Sequence, residues 1–476
     1  MQSQTMNRLL PGMASWIAGT AIFAIPLIAG AQSDPAAPLP QPSQQLQPAV
    51  SVQPQAPSTT AIPSAPNPAP APQLTLAQAE QIALKNNPRV SVARLLAAAQ
   101  AQVVRETRSG ELPTAYGSLT AVDAHDGSRI TAGVLNNPSI YDRAAGGLTV
   151  SQLITDFGRT HNLILSAKSN AQAQLDTERA TEQDIRLAVD QAFYQALSAL
   201  QVLKVAQQTV SQRQTTGEQV GALAAQKLRS DLDLSFANVQ VSQAKLLLLN
   251  AQNDERDAMA ALNAILGSER DEQYTLVDDV TANPEPSPDD AEALVKTAFS
   301  ARPDLAALND ESTAAKQFST AERDLWMPTV SALAAAGGTP IRADQITSSW
   351  YGAAGANVNI PVFNGFLFNA RAQEAKQRAG AAQERVRDFR DQIARDVRTA
   401  VLHAQTAFQR IGVTHALLDQ SNQALDLAQA RYNIGLSGIV ELSQAQLAQT
   451  EAEIAYTNAR YAYQTALAEV RFQTGQ

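Results

Sequence analysis

From Arg159 to Thr216 the chain runs for 58 residues without glycine or proline. Apolar side chains recur through that stretch at alternating intervals of four and three: Ile185, Val189, Ala192, Ala196, Ala199, Leu203, Ala206 and Val210. This spacing puts every member on one stripe of a helix, the seam of a coiled coil. Ile393, Val397, Ala400, Ala404, Ala407 and Ile411 keep the same spacing, with Leu418 at the end. Half of the first set are alanines, so helices meeting at this seam approach closely. The pattern predicts long helices over 156–226 and 364–434 and shorter ones over 88–111, 231–266 and 438–474. At ~1.5 Å per residue the first long helix spans ~106 Å, whereas the average globular helix has only ~11–12 residues. Such an element forms a rod that no compact domain can contain. Two shorter helices in line, 88–111 and 231–266, reach ~90 Å and fit beside it.

The same grammar is written twice. "ALKNNPRVSVARLL" (83–96) returns as "AFSARPDLAALND" (298–310), and "ELPTAYGSLTA" (111–121) as "LWMPTVSALAA" (325–335). Pro88 maps to Pro303 and Pro113 to Pro328 at one offset of 215 residues. "VSQLITDFG" (150–158) matches "VNIPVFNGF" (358–366), and "LRSDLDLSFA" (228–237) matches "LSGIVELSQA" (436–445), both at an offset of 208. The shortened interval between the two sets marks a surface loop. Each copy reads as a helix broken at proline, two short strands joined by a polar loop, a very long helix, a hairpin turn and a further helix. The copies are 74–266 and 291–476, separated by an Asp- and Pro-rich linker, 267–290.

Four segments have strand character: 113–123, 144–153, 328–336 and 350–359, joined in pairs by polar loops 124–143 and 337–349. Alternation in them is weak because Ala, Gly and Thr dominate. Each has about 9–11 residues, the length that crosses a bilayer at a tilt. A spanning sheet must close on itself, and single-chain barrels start at about eight strands. Four strands per chain therefore predict an oligomer. The competing reading is two small soluble hairpins.

Composition sharpens this picture. The 476 residues include only 12 Phe, 9 Tyr and 3 Trp, few for large packed cores. The net charge of -9 gives no electrostatic reason to bind nucleic acid. Without cysteine there are no disulfides, no thiolate catalysis, no Cys-based metal sites and no lipid anchor on an N-terminal cysteine. Residues 1–31 carry one charge, Arg8, an apolar run and Ala29-Gly30-Ala31, which reads as a secretory signal peptide. Twelve prolines fall between Gln32 and Gln73. That leader, 32–73, has too few large apolar residues to offset its ordering entropy and is expected to be disordered. No other segment approaches 18 consecutive apolar residues, so no transmembrane helix is expected in the mature chain.

The doubled layout, "SQLITDFGR" and "IPVFNGF" leading into the long helices, and "ARYNIGLSGIVELSQAQ" at the second hairpin resemble the TolC family of outer-membrane efflux proteins. The resemblance covers about 74–474. It implies a mainly α fold with a small β part: a homotrimer whose antiparallel coiled coils form a helical barrel across the periplasm. The four strands of each chain would join a 12-stranded transmembrane β-barrel in the outer membrane of a Gram-negative cell. It further implies a passive exit duct for a tripartite efflux pump or type I secretion system. The partners would be outer-membrane lipid, a periplasmic adaptor and, through it, an inner-membrane transporter. The leader lies outside the family pattern, and the missing cysteine matches the branch that carries no lipid. The resemblance names no cargo.

No enzyme constellation, phosphate loop, cofactor motif or metal-ligand spacing emerges, and His125, His161, His403 and His415 are dispersed. The informative polar positions lie at the two hairpin turns. Asp231, Asp233 and Glu441 each stand in the first turn of a helix, where a carboxylate complements the macrodipole. On a three-fold axis Glu441 would instead form a ring of carboxylates that narrows a pore and attracts cations. The resemblance aligns Glu441 with one acidic position of the periplasmic aperture and puts Gln444 where a second acid often stands. It aligns Tyr432 and Asp233 with residues that help latch the hairpins shut. It places a basic latch partner at Ser437, which cannot form an ion pair. The turns, Leu228-Arg229-Ser230 and Ile434-Gly435-Leu436-Ser437, match the tips offered to adaptor hairpins. As a plain helix–helix turn, Gly435 would supply a positive φ. Two rival readings are a periplasmic adaptor, which has one hairpin in a β-rich body, and a coiled-coil scaffold, which needs no paired strands.

Overall fold

The computed structural model describes residues 72–123, 142–268, 272–280, 286, 290–341 and 347–476. The expected signal peptide and leader up to residue 71, and the loop 124–141, lie outside the described residues. In chain order the elements are β1 (Gln73–Leu74), α1 (Leu76–Asn86), α2 (Pro88–Ser109), β2 (Thr114–Val122), β3 (Arg143–Thr155), α3 (Arg159–Ala225) and α4 (Asp231–Leu266). Then follow β4 (Thr275–Leu276), α5 (Ala291–Ala301), α6 (Pro303–Arg323), β5 (Thr329–Ile341), β6 (Trp350–Asn359), α7 (Leu367–Asn433) and α8 (Ile439–Thr474). A single 3₁₀ turn, Asp324–Trp326, links α6 to β5. The two long helices have 67 residues each, ~100 Å, and the helices that follow them have 36 each.

Prolines set the breaks. Pro88 and Pro303 occupy the first turns of α2 and α6, where the missing N–H costs nothing. β2 and β5 each begin one residue after a proline, Pro113 and Pro328. The seam residues are interior as the spacing predicts: Ile185, Val189, Ala196, Ala206, Ile393, Val397, Ala400 and Ala404 are buried. Around the first of them a core gathers Leu74, Phe193, Leu197, Leu262, Leu266 and Tyr461. A corresponding group on α7 packs Val295 and Leu305 against Ile393 and Val397.

Several boundaries differ from expectation. The long helices start at Arg159 and Leu367 rather than 156 and 364. The chain first turns through positive φ at Phe157 and Gly158, and again at Gly365 and Phe366. Asp156 stays outside α3 and accepts hydrogen bonds from Gly158 N, Thr160 N and Thr160 Oγ1. α2 ends at Ser109, two residues early, where Gly110 caps it. β5 runs to Ile341 instead of 336, taking in Gly337 and Gly338 from the expected loop 337–349, because β3 and β6 pair with both. β3 spans Arg143–Thr155 rather than 144–153. The leader and linker also contribute order: Gln73 pairs with Thr275 and Leu74 with Leu276 in a short parallel ladder. Beyond it, Asp278 accepts a hydrogen bond from Tyr461 Oη at 2.6 Å.

The larger sheet is antiparallel in the order β2-β3-β5-β6. Its register reveals a segregation that the sequence hides. One set of cross-strand rows reads Ala115–Val150–Ala334–Ala354, Gly117–Leu148–Ala336–Gly352 and Leu119–Gly146–Gly338–Trp350. Cross-strand partners share a face, so that face is apolar throughout these rows. The opposite face is mostly polar or small, carrying Thr114, Tyr116, Ser118, Thr149, Ser151, Ser331 and Asn357, with Leu153, Leu333, Ala335 and Ala353 among them. On that polar face Tyr351 lies across Gly147 and Gly337, where a Cβ would collide with its ring. All ten residues of β6 are exposed. Among the described residues, β2 and β6 each pair along one side only.

Candidate functional site

The two hairpin turns meet at the end of the rods away from the sheet. Both use the same stop. α3 closes with Lys227 N donating to Ala224 O and Leu228 N to Leu223 O, each at 2.9 Å. α7 closes with Gly435 N donating to Tyr432 O at 3.1 Å and Leu436 N to Arg431 O at 2.9 Å. These are the paired bonds of a Schellman turn, which needs one left-handed residue. Gly435 takes that role at φ 79°, and Lys227 takes it in the first turn at φ 57°. The first tip is thus the same turn as the second, although "KLRS" shows no glycine.

An apolar cluster joins the hairpins: Val220 and Ala237 from the first, Ala428, Tyr432, Ile439 and Leu442 from the second. Leu228, Ile434 and Leu436 stay exposed at the tips. Ser230 caps α4, its Oγ accepting from Asp233 N at 3.1 Å while Asp233 Oδ2 accepts from Ser230 N at 3.3 Å. Asp233 is therefore engaged in a capping box rather than on the Tyr432 hydroxyl. Among the described residues that hydroxyl is buried with no hydrogen-bond partner, and so is Ser437 Oγ. Burial pushes the Tyr432 phenol above its ordinary value, Arg229 opposing and Asp233 reinforcing the rise.

The cation at this site comes from a residue to which sequence reasoning gave only a tip role. Arg229 Nη2 donates to Tyr432 O at 2.9 Å, and its guanidinium carbon lies 4.4 Å from the centroid of the Tyr432 ring. Glu441 is also partnered: Arg431 Nε lies 3.1 Å from its Oε1. Gln444 is exposed on α8. Nothing local in the sequence foretells the Arg229 contact, because its partner is 203 residues away.

Further along the rods, the interface of α3 with α8 is interrupted by a polar layer. Arg213 is buried there and donates to Gln446 Oε1, with Thr209 and Thr450 buried beside them. Desolvation lowers the Arg213 guanidinium to about 10. A third polar cluster joins α3 to α1 and α8, where Asp190 Oδ2 accepts from Arg471 Nη2 at 3.3 Å and the Glu80 carboxyl lies close to the Asp190 carboxyl. Burial first, and Glu80 next, push the Asp190 carboxyl up to about 7.

A family model described as outer membrane efflux protein matches residues 80–268 and 294–476. The chain is 23% identical over 425 residues to the outer membrane protein TolC of Salmonella enteritidis, covering 84% of this chain and 83% of that protein. It is 24% identical over 371 residues to the outer membrane protein OprJ of Pseudomonas aeruginosa, covering 77% and 76%. Its fold is similar to the crystal structure of the outer membrane protein VceC from Vibrio cholerae, with a TM-score of 0.73 at 19% identity, covering 84% of this chain and 96% of that one.

Proposed function

The chain belongs to the outer membrane efflux protein family, and on that premise we propose that it is the outer-membrane exit duct of an efflux or type I secretion system. Three copies place twelve strands in one closed barrel, and their helices form a tunnel that leads to the hairpin tips. The observation that carries this reading is the sheet: a mainly apolar face, a mainly polar face and, among the described residues, two unpaired edges. In lipid an open edge leaves backbone groups unsatisfied at several kcal/mol each, so the edges must meet those of other copies. The apolar face then turns to lipid and the polar face to water. The matching lengths of α3 and α7, and of α4 and α8, support descent from a duplicated unit.

The duct supplies a path and a gate but no chemistry, so energy must come from an inner-membrane transporter. A periplasmic adaptor would contact the exposed Leu228, Ile434 and Leu436 and favour the open arrangement of the hairpins. Membrane fractionation with gel mobility of unboiled samples tests the reading. An outer-membrane oligomer that dissociates on heating and forms pores in planar bilayers is expected. A soluble monomer would refute it.

A further inference from the structure

The last turn of α7 leaves carbonyls without intrahelical partners and carries the negative end of the helix dipole. Tyr432 O, which already accepts from Gly435 N at 3.1 Å, takes a second hydrogen bond from Arg229 of the other hairpin. The same guanidinium covers the face of the Tyr432 ring, and the ring lies inside the apolar cluster shared by both hairpins. One side chain thus makes a charge-assisted hydrogen bond and a cation–π contact with one residue of the other hairpin. Among the described residues the obvious alternative fastening is absent: the Tyr432 hydroxyl has no partner, Asp233 is occupied in its capping box, and Ser437 carries no charge.

We infer that Arg229 is a positioning residue that holds the gate closed, acting as a cap in trans on α7 and as a cover on the Tyr432 ring, and that the tyrosine hydroxyl takes no part. This rests on the exit-duct reading. When the second hairpin swings away from the first, the ring is uncovered and the carbonyl keeps only the bond within its own turn. An adaptor tip that offers a carboxylate to Arg229 would compete directly for the guanidinium and so favour opening.

The test compares Arg229→Ala, Arg229→Lys and Tyr432→Phe in the full chain. Two readouts are used: single-channel recordings in planar bilayers, and amide hydrogen exchange across 428–437. Arg229→Ala is expected to raise the open fraction severalfold and speed exchange at Ile434–Leu436, with oligomer stability on gels unchanged. Arg229→Lys keeps the charge but loses the planar fork, and falls between. Tyr432→Phe keeps the ring and the carbonyl and loses only the hydroxyl, so it is expected to move both readouts far less than Arg229→Ala. Equal gating in Arg229→Ala and wild type overturns the proposal, even if exchange quickens. Gating in Tyr432→Phe that matches Arg229→Ala overturns it too, since the hydroxyl would then be the fastening. A wild type that forms no channels sinks the exit-duct reading and the gate with it. The exchange data then still decide whether Arg229 fastens the hairpins.

Discussion

Arg431 and Glu441 face each other across the second hairpin turn, with Arg431 Nε 3.1 Å from Glu441 Oε1. The carboxylate that would ring a three-fold aperture therefore brings its own counter-charge. Both side chains are about half exposed, so the pair adds little to stability. Its consequence is for the pore field. Glu441→Ala alone should change ion selectivity only slightly. Arg431→Ala should unmask the carboxylates and raise the cation-to-anion permeability ratio by roughly two- to fivefold, as ~0.5–1 kcal/mol per site implies. Reversal potentials under a salt gradient decide this.

Asp190 predicts a pH response. It faces Arg186 on its own helix, Glu80 on α1 and Arg471 on α8. Its folded value, about 7, lies above the ordinary 3.8, so the folded state binds this proton more tightly than the unfolded chain. The stabilisation is complete below pH 3.8 and is lost as pH rises through about 7. At ~1.36 kcal/mol per pH unit the loss reaches up to about 4 kcal/mol per chain. The wild type should melt lower at about pH 8 than at about pH 5. Asp190→Asn should flatten that slope in thermal unfolding.

The Arg213–Gln446 layer places a buried cation where, among the described residues, no carboxylate forms an ion pair with it. Replacing both residues with apolar ones, Arg213→Met with Gln446→Leu, should stabilise the chain by about 1–4 kcal/mol, as for other buried polar pairs. Gln446→Leu alone strips the guanidinium of its hydrogen bond and should destabilise by about 1–3 kcal/mol. Denaturant midpoints of the three variants separate these outcomes.

The turns give opposite predictions at matched positions. A Cβ at Gly435 would meet no atom within 4 Å, so Gly435→Ala should cost only the left-handed backbone penalty, ~1–2 kcal/mol. Lys227 already bears that penalty at φ 57°. Lys227→Gly should therefore gain about 0.5–1 kcal/mol. Thermal melts of both variants read the difference.

The two faces of the sheet should tolerate charge unequally. Ala334→Arg, in the apolar row with Ala115, Val150 and Ala354, should cost about 2–4 kcal/mol at the membrane midplane and reduce recovery of the heat-dissociable oligomer. Asn357→Asp on the polar face should leave recovery unchanged. Equal recovery of the two would mean that the sheet does not lie in lipid as proposed.

Much of this molecule is decided by local rules. Pro88, Pro303, Pro113 and Pro328 break the chain wherever they stand, because a fixed φ and a missing N–H act at their own positions. The four-three spacing from Ile185 to Val210 selects a helix and names its buried side, since that periodicity belongs to the chain alone. The first-turn acids at Asp231 and Asp233 and the turn glycine at Gly435 are equally local.

The rest needed three dimensions. Strand alternation is faint along any one segment of Ala, Gly and Thr. It becomes an apolar face only when register sets Ala115 beside Val150, Ala334 and Ala354. Gly337 and Gly338 read as loop residues until β3 and β6 supply partners on both sides. The hairpin tips depend most on tertiary structure. Ser437 offers no cation, yet one arrives from Arg229 in the other hairpin, while Glu441 is masked by Arg431. Electrostatic contacts depend on distance in space, and residues two hundred positions apart along the chain become neighbours only when the hairpins pack.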